Sequence, residues 1–294
     1  MYRRSLLIGL LGAAGLAVAP AASAEDYNPD TLKVALLPDE NAATVIQDNK
    51  PLEAYLEGSL GKEIELVVTT DYSSMIEAMR FGRIDVAYFG PASYTIAKEK
   101  MAGQDFDIAP FAGRLKDGAT TYQSVIIANV ESGIESFEDI KGTGIDVGFG
   151  DPASTSSHFA PKYTMMQKGI MPAEDYTSNH LGAHDAVAVN VARGNAQVGG
   201  LSRPILESMI DREMINPDEI VVLGYSDPLP QYPWVLRTDM ASELQQAVRE
   251  AFYALEPGTE EADAVLGPFG ADGFAEMTDA DYDIIRDIRA NVAD

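Results

Sequence analysis

Short apolar runs of strand length alternate with helix-length segments through most of this 294-residue chain, and that alternation confines it to an α/β fold. Residues 31–38 read as a buried strand stopped by Pro38, and 42–56 as a helix that Pro51 should interrupt. A strand over 64–70, a helix over 73–81, a strand over 84–89 and a helix over 92–101 complete a first series. A second series runs through strands at 122–129, 145–149, 196–200 and 219–224, with helices at 136–141, 156–168, 184–193 and 204–210. A strand at 234–237 and helices at 242–255 and 279–292 follow. Helices of this length between strands imply right-handed βαβ units around mostly parallel sheets. The two series predict two lobes, 25–118 together with 230–294, and 119–229, hinged near 114–122 and 225–233. Ligands of such sheets sit at the carboxyl ends of strands, here across an interlobe cleft.

The first residues, Met1-Tyr2-Arg3-Arg4, precede an apolar run over 6–18 and then Ala22-Ser23-Ala24, the pattern of a secretory signal peptide cleaved after Ala24. The Arg3-Arg4 pair is compatible with twin-arginine export, but a basic start to an ordinary secretion signal accounts for it. No later segment is apolar enough for a membrane span, so the mature chain is expected to be soluble and exported. There is no cysteine, which excludes disulfides, thiolate metal sites and cysteine nucleophiles. With 46% hydrophobic residues the chain can stabilise itself by ordinary core burial. Its formal net charge of −25 argues against nucleic acid or anionic membranes as partners and suits a solvated acidic surface.

The segment Asp151-Pro152-Ala153-Ser154-Thr155-Ser156-Ser157-His158 follows the apolar run 145–149 and opens a helix. Free amides and the positive end of the dipole at a helix start favour a bound oxyanion, and hydroxyls add donors around it. The alternative is that Ser154 or Thr155 only caps the helix. Pro161 lies too deep for one continuous helix from Ser154, so the first turn must be separate or the helix bent. In so acidic a protein, an anion site has to prevail through local donors in a desolvated cleft.

Four segments together resemble the periplasmic substrate-binding proteins of phosphonate, phosphite and phosphate ABC transporters. They are Leu37-Pro38-Asp39-Glu40-Asn41; Asp71-Tyr72 followed by Met79 to Pro91; Phe149 to Ser157; and Ala183-His184-Asp185-Ala186. The resemblance implies a two-lobed, non-catalytic receptor that closes over a phosphorus oxyanion and delivers it to permease subunits in the membrane, without a cofactor and as a monomer. It also implies that Ser154, Thr155 and Ser156 hold the phosphorus-bound oxygens, that His184 contacts the same group, and that Tyr72 and Tyr122 are cleft tyrosines. Such neutral donors satisfy a tetrahedral oxyanion without a buried cation, and His184 would donate better if protonated. Receptors of this family that take aminoalkylphosphonates hold the amine with carboxylates from two segments. Here those segments read Leu201-Ser202-Arg203-Pro204 and Pro230-Gln231-Tyr232-Pro233-Trp234, without a carboxylate. Phosphite, methylphosphonate or phosphate is expected instead.

A secreted hydrolase with a serine of the cluster as nucleophile, His184 as base and Asp185 as orienter is the competing reading. Adjacent helical residues do not face each other, which places Asp185 badly for that role. No Gly-x-Ser-x-Gly elbow surrounds these serines, and no His-Glu-x-x-His pattern suggests zinc. A third reading keeps the receptor and changes its cargo to another anion.

Overall fold

The computed structural model describes residues 27–292, so the expected signal peptide and its cleavage point lie outside the described residues. In chain order the strands are β1 (Thr31–Leu36), β2 (Glu63–Val68), β3 (Val86–Tyr88), β4 (Ile108–Leu115), β5 (Thr121–Tyr122), β6 (Ser124–Asn129), β7 (Ile145–Phe149), β8 (Tyr176–His180), β9 (Val198–Ser202), β10 (Ile220–Tyr225), β11 (Leu229–Pro230), β12 (Pro233–Arg237) and β13 (Gly273–Glu276). Six of them form a sheet in the order β13-β4-β12-β3-β1-β2, and five a second in the order β10-β6-β9-β7-β8. The short strands β5 and β11 pair with each other where the chain crosses between the two sheets.

Each sheet contains a parallel trio, β2-β1-β3 in the larger and β8-β7-β9 in the smaller. Beside each trio lies an antiparallel strand, β12 and β6 respectively. These are the strands by which the chain enters one sheet after leaving the other, so the sheets are mixed and parallel only at their βαβ cores. The architecture is the expected two-lobed α/β fold with helices on both faces of each sheet, but the sheets are not mostly parallel as expected, because the strands that cross between lobes and those beyond them pair antiparallel.

Burial on both faces explains why the strands read as continuous apolar runs. Along β6, Val125 and Ile127 pack on one side against Val187, Val191 and Leu201. Ile126 and Ala128 pack on the other against Val147, Phe149 and Met165. The larger sheet likewise buries Ala35, Ala87 and Val235 with Met75, Met79, Tyr94 and Ile285 on one face. Its other face buries Leu32, Leu36, Trp234 and Leu236 with Leu52, Leu56 and Phe252.

Both proline irregularities resolve locally. The helix expected over 42–56 is two helices, Ala42–Asp48 and Lys50–Leu60, and Pro51 occupies the first turn of the second, where no amide partner is lost. Ahead of helix Ala160–Gln167 the chain makes a separate π-helical turn, Thr155–Phe159, closed by the Phe159 amide donating to the Ser154 carbonyl at 3.1 Å. Pro161 therefore also falls in a first turn. The strands β4, β8, β13 and the short β11, and helix Glu260–Leu266, were not expected from the sequence.

Candidate functional site

The parallel strands of both sheets end toward one interface, and each end leads into a helix start. Beyond β2, Asp71 caps helix Tyr72–Arg80 by accepting from the Ser74 amide at 2.6 Å. Beyond β3, Gly90 precedes helix Pro91–Lys100; beyond β7 comes the hydroxyl turn; beyond β8, helix His184–Ala192. First-turn amides of three of these helices donate across the interface. Tyr72 N–H reaches the Asp151 carboxylate at 3.2 Å, Ala92 N–H the Thr155 Oγ1 at 2.7 Å, and His184 N–H the Asp39 carbonyl at 2.9 Å. Positive dipole ends thus gather where the two sheets meet, an arrangement that favours negative charge there.

The hydroxyl turn is buried and each of its oxygens has a defined task. Ser154 Oγ caps the turn by accepting from Ser157 N–H at 3.1 Å, which leaves its own hydrogen to donate. Thr155 Oγ1 accepts from Ala92 N–H and likewise keeps a free donor. Ser157 Oγ donates to the Gly200 carbonyl at 2.5 Å, and Ser124 Oγ donates to the Ser156 carbonyl at 2.6 Å, tying the turn to β9 and β6. Ser156 Oγ lies 3.5 Å from the Tyr232 hydroxyl. Capping, posed by the sequence as the alternative to anion cradling, uses the Ser154 oxygen as acceptor and leaves its hydrogen uncommitted, so the two are not exclusive.

Tyr72, Tyr122 and Tyr232 close around these hydroxyls. Tyr72 faces Ser154, while Tyr122 faces Ser156, Thr155 and Tyr232, its ring edge-on to that of Tyr232 at 5.2 Å. Burial raises the pKa of all three phenols, so they are donors at any physiological pH. The buried Tyr122 hydroxyl has no hydrogen-bond partner. An unpartnered buried donor is uncommon, because its desolvation is uncompensated.

His184 carries a second such donor. Its Nδ1 accepts from Ser202 N–H at 3.1 Å, which fixes the hydrogen on Nε2, and Nε2 is buried without a partner. Burial lowers the imidazole pKa to about 3, so in the ligand-free protein the ring is neutral and presents Nε2–H as the uncharged tautomer. His184 does not touch the serines directly; it joins the group through the Asp39 and Ser202 backbone.

A cleft of about 620 Å³ is lined by Tyr122 and Tyr232 together with Tyr88, Asp39 and Arg114. Three of these residues, Tyr232, Asp39 and Arg114, were not singled out as site residues. Asp39 lies in Leu37-Pro38-Asp39-Glu40-Asn41 and Tyr232 in Pro230-Gln231-Tyr232-Pro233-Trp234, but nothing in residue type separates them there from packing residues. Tyr88 stacks between Tyr232 at 5.5 Å and Trp234 at 4.9 Å. Arg203 instead pairs with Glu207 and lies over Tyr225, and Asp227 is exposed, so both stand outside this group. His158 and His180 pack edge-on at 5.0 Å beside Phe149.

Comparison with known proteins bears on the whole arrangement. Residues 34–282 match the family described as ABC transporter, phosphonate, periplasmic substrate-binding protein. The chain is 27% identical to the phosphate-import protein PhnD of Mycolicibacterium smegmatis, over 92% of this chain and 88% of that protein. It is 28% identical to the phosphonates-binding periplasmic protein of Escherichia coli, over 79% and 68% respectively. Among solved structures, PhnD1 of Prochlorococcus marinus in complex with methylphosphonate superposes with a TM-score of 0.82 at 20% identity, covering 90% of this chain and 99% of that one. The chain belongs to the periplasmic phosphonate-binding proteins of ABC transporters.

Proposed function

We propose that this protein is the periplasmic receptor of an ABC importer and binds a phosphorus oxyanion, namely a phosphonate, phosphite or phosphate, at the junction of its two lobes. One observation carries the site: the buried Tyr122 hydroxyl, without a close hydrogen-bond partner, fronts the hydroxyl turn Ser154-Thr155-Ser156 where helix N-termini converge, and His184 Nε2, held through the Asp39 and Ser202 backbone, is a second buried donor without one. A tetrahedral oxyanion supplies the acceptors that those donors lack. Tyr72 adds a donor from the larger lobe, so the ligand contacts both lobes and stabilises the closed form over the open one. The lobes divide as 25–118 with 230–294 and 119–229. Hinge segments near 114–122 and 225–233 fit the β5–β11 pairing. The relatives' names support phosphorus as the common element of the cargo, and the lack of a carboxylate at 201–204 and 230–234 favours a small uncharged substituent. Export with cleavage after Ala24, action as a monomer and delivery to membrane permease subunits complete the reading.

The hydrolase reading has no geometric support. Ser154, Thr155 and Ser157 hydroxyls are engaged with backbone groups, none contacts His184, and Asp185 accepts from its own helix at the Ala186 amide. Titration calorimetry with methylphosphonate, phosphite, phosphate and sulfate tests the function. Binding of a phosphorus anion that Ser156→Ala weakens by about tenfold or more is expected. Equal competition by sulfate, or turnover of a phosphate ester, contradicts it.

A further inference from the structure

Asp39 stands just beyond β1 on the lining of the cleft, half-buried, with Tyr72, Tyr88 and Tyr232 within its electrostatic reach. The charged groups that act on it are Glu40, its neighbour in the chain, and Asp185 from the opposite lobe, both acidic. Arg212, the cation near Glu40 on this rim, is engaged by Asp48 at 3.3 Å. His184, whose amide donates to the Asp39 carbonyl, is neutral. A carboxyl thus lines the same cleft as the tyrosines that front the anion site; of the cations on that lining, Lys116 is engaged by Asp272 and Arg114 donates to the Phe269 carbonyl.

Two negative groups brought together in one cleft that closes over its ligand do not both stay ionised, so either the anion is excluded or a proton enters with it. We propose that Asp39 is a specificity-determining residue of this site: its carboxyl meets the ligand as the neutral acid and donates to a phosphorus-bound oxygen. The bound state therefore contains one proton held between Asp39 and the anion. The inference rests on the reading that a phosphorus oxyanion occupies the chamber. Desolvation, with repulsion from Glu40, already pushes Asp39 up to about 8 in the absence of any anion. Below that pH the proton is in place before binding; above it, each ligand bound takes one proton from solvent. An acidic protein gains in this way an anion donor that needs no buried cation.

Calorimetry with methylphosphonate on the mature chain and on Asp39→Asn, from about pH 6 to about pH 9.5, tests this. Above about pH 8 the parent's affinity should fall toward tenfold per pH unit relative to the variant, whose amide donates at every pH. The ligand's own ionisation is common to both proteins, so the ratio isolates Asp39. Independently of any variant, the parent at about pH 9 should take up close to one proton per anion, read from the dependence of the binding heat on buffer ionisation enthalpy. A constant ratio together with no proton uptake overturns the inference. So does an affinity for aminoethylphosphonate that rises above about pH 8, since that would mean an ionised Asp39 pairing with the ammonium group. If the parent binds no phosphorus anion at any pH, the proposed function fails, and this inference with it.

Discussion

The Tyr122 hydroxyl separates a binding role from a packing role more cleanly than any other atom of the site. It is buried among the Ser156, Thr155 and Tyr232 hydroxyls without a close hydrogen-bond partner, so its desolvation, ~1–3 kcal/mol for an unpaired group, is poorly compensated in the ligand-free protein. Tyr122→Phe should therefore leave the melting temperature of the ligand-free protein unchanged or raised, while affinity for the phosphorus anion falls about 10- to 100-fold. Thermal melts and calorimetry on the same sample decide it: a lowered melting temperature with intact affinity would assign the ring to packing alone. His184 yields a pH prediction. Its folded pKa of about 3 lies below the ordinary 6.5, so as pH falls below 6.5 the unfolded chain takes up a proton that the folded chain refuses. Stability contributed by the neutral ring is thus present above pH 6.5 and is lost progressively toward pH 3. His184→Gln, whose amide oxygen can still accept from Ser202 N–H, should flatten that acid-side loss in melts recorded across the range. An identical pH profile in parent and variant would mean that other groups set the acid sensitivity.

At the scale of elements, the hydroxyl turn is placed by glycines on the strands beneath it. A Cβ on Gly200 would stand 2.4 Å from the Pro161 Cβ, and one on Gly150 2.6 Å from the Ser157 Oγ, so helix Ala160–Gln167 and the turn before it settle onto β9 and β7 only because those positions are bare. Gly200→Ala should cost ~1–3 kcal/mol by overpacking and also weaken anion binding, because the displaced Pro161 carries the turn with it. Lost stability with unchanged affinity would show that the turn keeps its place by other ties. These contacts join residues far apart in sequence, which is why the serine cluster was legible and the glycines under it were not. The same distinction explains the missed strands. Strand β4 contains Pro110, a residue that lacks a ladder donor, and it is accommodated beside a bulge where the register shifts between Trp234 and Val235. Strand β8, Tyr-Thr-Ser-Asn-His, is polar and mostly exposed at the sheet edge and carries no apolar alternation. Strands buried on both faces, by contrast, announced themselves as apolar runs, and those alone were enough to fix the two-lobed class. Tyr232 stayed hidden because its partner, Ser156, lies 76 positions away.

For the whole molecule, the net charge of −25 opposes the arrival of an anion, whereas the donors that hold it act only at contact. Field and site therefore separate kinetically. Long-range repulsion lowers the association rate and is screened over ~8–10 Å at physiological salt, while short hydrogen bonds in a closed chamber are hardly screened. Raising ionic strength from about 10 mM to about 150 mM should accordingly speed association several-fold and leave dissociation nearly unchanged, the reverse of a receptor lined by cations. The single tryptophan offers the readout: Trp234 is buried on β12, 4.9 Å from Tyr88, whose ring lies 5.5 Å from that of Tyr232 at the site. Its fluorescence should report the burial changes that accompany closure in a stopped-flow trace. Association slowed by salt would instead mean that Arg114, Lys116 and Arg212, which line the cleft, outweigh the surrounding acids and steer the anion inward. The acidic surface would then act only in solubility, and the mouth of the cleft would belong to the recognition machinery along with the turn at its base.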